Sequence, residues 1–170
     1  MNINIMSLDL STKSSGWAIF RGGELIDYGC ITSASLDLIK RIYIMQNGIK
    51  EALKNTDIKI DKIVVEEVRP EGGYGVGNQK THKALMWLQA AIAFMLHDNY
   101  PVEIEYMYPS SWRSILELKT GSMFRRSVLK QADINYVKKK YNIEVNDDIA
   151  DAICIGCAYY TKENNEINWE

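Results

Sequence analysis

Asp148 and Asp151 stand three residues apart at the head of an otherwise apolar run, Asp147-Asp148-Ile149-Ala150-Asp151-Ala152, which continues as Ile153-Cys154-Ile155-Gly156-Cys157-Ala158. On a helix, residues three apart share a face, so both carboxylates project together from the first turns of a segment whose remainder reads as buried. Asn146 is a good N-cap, and the positive end of the helix dipole favours first-turn acids; that accounts for one aspartate, not three. Two further acids have similar surroundings. Asp9 ends the buried-strand pattern Ile3-Asn4-Ile5-Met6-Ser7-Leu8, and Glu66 ends Ile63-Val64-Val65, a run too apolar for an edge strand. Glu67 must point to the opposite side of that strand. An acid at a strand end is ordinarily a turn or cap residue. Asp9, Glu66, Asp148 and Asp151 together, without a matching set of buried arginines, point instead to a hard cation, because carboxylate oxygens suit magnesium or manganese and the metal offsets their mutual repulsion.

The elements that position these acids follow from the hydrophobic periods. Strands are expected over 3–10, 16–21 and 24–31, the last two joined by a Gly22-Gly23 hairpin, so that three antiparallel strands come first. A helix is expected over 34–54, with Leu38, Ile42, Met45, Ile49 and Leu53 at helical spacing. The strand ending at Glu66 follows, then a glycine-rich loop over 69–78 that overhangs the site. A helix over 80–97, a strand over 102–107, and helices through most of 109–141 and 147–161 complete a strand-first α/β chain. A length of 170 residues supports one compact domain over residues 1–162, followed by a polar tail over 163–170. Neither a signal-peptide pattern nor an apolar run of about twenty residues is present, so a cytoplasmic protein without membrane contact is expected. Cys30, Cys154 and Cys157 are odd in number and read as reduced core residues.

The formal net charge of −2 hides a strong local asymmetry. Residues 113–140 hold eight basic side chains (Arg113, Lys119, Arg125, Arg126, Lys130, Lys138, Lys139, Lys140) against Glu117 and Asp133, a local balance of +6. This is either a solvated helix face or a phosphate-binding surface. His82 and His97 are the only histidines, and no Ser-His or Cys-His pairing suggests a covalent nucleophile. The helix through Ala84 to Leu96 is apolar almost all round. Leu85, Leu88, Ile92 and Met95 can face the sheet, which leaves Met86, Trp87, Ala90, Ala93 and Phe94 needing a second surface, either the later helices or a twofold partner.

Ser7-Leu8-Asp9-Leu10-Ser11 with Gly16-Trp17-Ala18-Ile19, then Ile63-Val64-Val65-Glu66-Glu67-Val68, then Asp148-Ile149-Ala150-Asp151-Ala152 together resemble the ribonuclease-H-like superfamily, and within it the RuvC-like Holliday-junction resolvases. The likeness covers nearly the whole chain. It implies a mixed five-stranded sheet flanked by helices, and a homodimer that makes two symmetric phosphodiester cuts in four-way junctions or in forks and flaps. Two Mg2+ ions per site, replaceable by Mn2+, would be held by Asp9, Glu66, Asp148 and Asp151, which favours Glu66 over Glu67. The resemblance also puts a basic residue near the scissile phosphate, a role open to Arg113, Lys119, Arg126 or Lys130, with Arg125 among the further DNA contacts. Tyr74, in the glycine-rich loop, is placed to stack on a base at an opened junction. Leu10-Ser11 stands where cellular members commonly carry Pro-Gly, which looks more like a bacteriophage or divergent branch. Two other classes compete: an actin- or sugar-kinase-like ATPase, suggested by Asp9-Leu10-Ser11-Thr12-Lys13-Ser14-Ser15-Gly16, and a non-catalytic binder of branched DNA.

Overall fold

The computed structural model describes residues 3–68, 76–118 and 125–167. Strands β1 (Asn4–Asp9), β2 (Ser14–Arg21) and β3 (Glu24–Thr32) form the antiparallel meander, with Gly22 and Gly23 both at positive φ in its tight turn. Helix α1 (Leu38–Asn55) leads to β4 (Lys62–Glu66), and α2 (Val76–Asn99) to β5 (Glu103–Met107). Helices α3 (Pro109–Ile115), α4 (Arg126–Tyr141) and α5 (Asp147–Ile167) close the chain. The sheet order is β3-β2-β1-β4-β5, with β4 parallel to both β1 and β5. The expected α/β architecture, a mixed five-stranded sheet flanked by helices, is the one observed.

Alternation along the central strands divides the core in two. Ile5, Ala18, Phe20 and Val64 pack with α3, α4 and α5 on one face. Met6, Leu8, Ile19, Ile63 and Val65 pack with α1 and α2 on the other. Because α3 to α5 all lie on the first face, none of these helices covers the outer side of α2 among the described residues. Met86, Trp87 and Phe94 are 44%, 46% and 71% exposed, which overturns burial beneath the later helices.

Several boundaries differ from the expected ones for local reasons. The first helix begins at Leu38 rather than 34 because Asp37 caps it, its carboxylate accepting from the Lys40 amide at 2.7 Å. The segment 109–141 holds two separate helices, α3 and α4. Helix α5 continues to Ile167, past the start of the polar tail.

Candidate metal centre

The chain pattern brings the four acids toward one end of the sheet's central strands. Asp9 and Glu66 end adjacent parallel strands, with Leu8 paired to Val65 just before them. Asp9 is also paired across the other side with Gly16 of β2. The start of α5 sits directly on that glycine: a Cβ there would overlap the carbonyl group of Asp148. The absent side chain thus lets the helix lower Asp148 and Asp151 toward Asp9. Ser7 fastens the same approach, its buried hydroxyl donating to the Ala152 carbonyl at 2.7 Å. Asn146 caps α5 as the sequence suggests, its side-chain oxygen accepting from the Ile149 amide at 2.9 Å. Gly16→Ala is accordingly expected to push α5 off β2, lowering stability by about 1–3 kcal/mol as overpacking does. It should also weaken Mn2+ binding, and denaturant unfolding with a metal titration checks both.

Each acid has a distinct local partner. Glu66 faces α3, where the buried Trp112 donates its indole N–H to Oε2 at 2.8 Å, while the Gln89 amide holds the Glu66 carbonyl at 3.0 Å. Glu67 instead lies near Tyr106, whose hydroxyl pKa is raised by burial and then by the Glu67 charge. Asp148 accepts from the Ser14 hydroxyl. Asp147, the third aspartate of the run, turns away to pair with Lys130. Arg113 forks onto Asp133, with Nε and Nη2 at 3.3 and 2.8 Å from Oδ2, and Nη2 also lies 3.7 Å from Asp151 Oδ1. The turn after Asp9 is closed by Ser15, whose hydroxyl donates to the Ser11 carbonyl at 2.6 Å and accepts its amide at 2.9 Å.

Electrostatics show a site short of positive charge. Burial, then Glu66 and then Asp148, pushes the Asp9 carboxyl well above the usual range. Burial, followed by Asp9 and Asp133, pushes Asp151 up to about 9. Burial raises Glu66 too, against the lowering effect of the Trp112 hydrogen bond and Arg113. Asp151 Oδ1 and Asp133 Oδ1 are buried with no hydrogen-bond partner in the protein. Among the described residues, no group of three or more His, Cys, Asp or Glu side chains stands as an arrangement that could hold a metal ion. The donor set nevertheless fits one: hard oxygen donors, mutually repelling, with an orphaned carboxylate oxygen among them.

The basic candidates divide by position. Arg125 and Arg126 are exposed at the start of α4; Arg126 acts on Glu66, and Lys130, one turn on, acts on Asp9. Arg113 is buried among the acids rather than displayed on the surface. Lys119 and Tyr74 lie outside the described residues. Trp112, Ser14 and Asp133 are contacts that the sequence reading missed. Asp133 carried a signal, since it falls four residues before the buried Val137 on the inner stripe of α4, where a charge needs a partner.

The mixed five-stranded sheet with its flanking helices is an architecture that solved structures share. Among solved structures, the chain is similar to the RuvC of T. thermophilus in complex with a Holliday junction substrate, with a TM-score of 0.70, 12% identity and 96% of each chain covered. It is likewise similar to the yeast mitochondrial Holliday junction resolvase Ydc2, with a TM-score of 0.62, 13% identity, and 99% of this chain and 82% of that one covered. No protein-family model matches the chain, and no curated protein matches it by sequence. The chain therefore has a RuvC-like fold.

Proposed function

We propose that this protein is a divalent-metal-dependent endodeoxyribonuclease that resolves four-way DNA junctions as a homodimer. One observation carries the reading: the charges of Glu66 on β4 and Asp148 on α5 both act on Asp9 of β1, Asp9 acts on Asp151, and Arg126 and Lys130 of α4 act on Glu66 and Asp9 in turn. Mutually repelling acids beside the exposed guanidiniums of Arg125 and Arg126 suit a phosphodiester. Asp9, Glu66, Asp148 and Asp151 would hold two Mg2+ ions, with Mn2+ able to substitute. When bound, those ions would supply activation of a water and stabilisation of the leaving 3′ oxygen. Asp9, on which the charges of both Glu66 and Asp148 act, would contribute most to holding the ions.

The remaining residues orient and bind. Trp112 occupies one oxygen of Glu66 and leaves the other for ligation, and Ser14 does the same for Asp148. Arg126 and Lys130 receive the phosphate, with Arg125 beside them; Lys119 and Tyr74 would extend the contact. Two symmetric cuts need two sites, which a twofold dimer through the uncovered face of α2 provides.

The test is an end-labelled immobile four-way junction and a matched linear duplex, each with Mg2+ or chelator, alongside Asp9→Asn. Paired nicks confined to the junction, to metal and to the unmutated chain are expected, with Asp9→Asn at least about 100-fold slower. Equal junction binding by both chains with no cleavage in any metal would identify a non-catalytic binder instead.

A further inference from the structure

The Arg113–Asp133 pair has no counterpart in a plain four-acid site. Its guanidinium is buried, stacks on the neighbouring indole with Cζ 4.0 Å from the Trp112 ring centre, and reaches two carboxylates at once. The bond to Asp133 is short, 2.8 Å, while the approach to Asp151 is long, 3.7 Å. Asp133 is fully buried, and its other oxygen accepts from no N–H donor, although the Asp133 and Asp151 carboxyls share a hydrogen bond when one of them is protonated. Such an anchor is costly unless it is matched, because a buried carboxylate without its cation is strongly unfavourable. Asp133 stands on α4 rather than at a strand end, beside Asp151. It can still fix where the guanidinium sits.

We infer that Asp133 is a positioning residue: it tethers Arg113 short of Asp151, and the balance of this pair sets how tightly the four acids hold a divalent cation. If the tether were cut, the full positive charge would be free to close on Asp151 and compete with metal. Were the guanidinium removed, Asp133 would add an unopposed negative charge beside Asp151 and draw the cation in. Neutralising both members would restore the original balance. This rests on the metal-centre reading of the acids, which the experiment tests separately.

The measurement is Mn2+ binding by electron paramagnetic resonance, with thermal unfolding of each chain with and without Mn2+. Asp133→Asn is expected to bind Mn2+ about tenfold more weakly and Arg113→Gln several-fold more tightly, and Arg113→Gln should gain more thermal stability from Mn2+ than the wild type does. The Asp133→Asn/Arg113→Gln double variant should return to within about threefold of wild type. A merely structural pair would lower the melting temperature without this opposed, reversible ordering. Either folded single variant binding Mn2+ as the wild type does, or a double variant that fails to restore affinity, would overturn the inference. If the wild-type chain bound no Mn2+ at all, the metal-centre reading itself would fall.

Discussion

Asp151→Asn is expected to act in two opposed directions, abolishing metal-dependent cleavage to at least about a hundredfold below wild type while stabilising the metal-free protein. The second effect follows from the environment of that carboxyl. Burial, Asp9 and Asp133 together hold its pKa at about 9, against roughly 4 in an unfolded chain. Between those values the folded state keeps a proton that the unfolded state releases. Stability of the metal-free chain therefore falls as pH rises from about 4 to about 9, by on the order of 1 kcal/mol per pH unit for each such proton. Asparagine has nearly the same shape and no proton to release, so the variant's stability curve should be flatter and higher near neutral pH. Metal binding favours the ionised form and should flatten the wild-type curve as well. Denaturant unfolding at several pH values, with chelator and with Mg2+, reads all of this. An Asn variant with the wild-type pH slope, or with wild-type cleavage, would remove Asp151 from the centre of the site.

The same residue illustrates what could be read from the chain and what could not. Asp148 and Asp151 were legible because a charge pair on an apolar helical stripe violates the ordinary burial pattern. Asp9 and Glu66 were legible because β-branched and aliphatic runs announced buried strands that each ended in an acid. The antiparallel meander was legible from the turn at Gly22-Gly23, whereas the pairing of β4 with β1 rather than β3 had no local signal. Contacts between distant segments were a different matter. Trp112 meets Glu66 across 46 positions of sequence, and Ser14 meets Asp148 across 134. Neither spacing has a local period, so only the packed fold reveals them. Arg113 was counted among residues facing DNA because composition records a charge without recording which way it points. The inner stripe of α4 turns Asp133 inward, and Arg113 is buried with it.

Phe94→Glu is expected to convert a dimer to a monomer while leaving the fold and the acids intact. Phe94 is 71% exposed on the outer side of α2, so the substitution removes nothing from the monomer core. Trp87 and Met86 lie on the same uncovered surface, and α1 adds exposed Ile39 and Tyr43 beside it, joined to α2 where the Gln46 amide donates to the Ala91 carbonyl at 2.9 Å. Large apolar side chains grouped this way mark an interaction surface more often than an idle one. In a twofold dimer each substitution counts twice. Burying a phenylalanine contributes about 1.5–3 kcal/mol, so losing two weakens association by roughly 10²- to 10⁴-fold, before any penalty for burying the glutamates. Each monomer keeps its own acidic site, so the variant should still nick junctions but lose the pairing of cuts on opposing strands. Sedimentation velocity at micromolar concentration, with and without junction DNA, reads the first effect; resolving nicked from fully resolved products reads the second. A wild-type chain that sedimented as a monomer under both conditions would sink the dimer, and paired cutting would then need two chains brought together by the DNA alone.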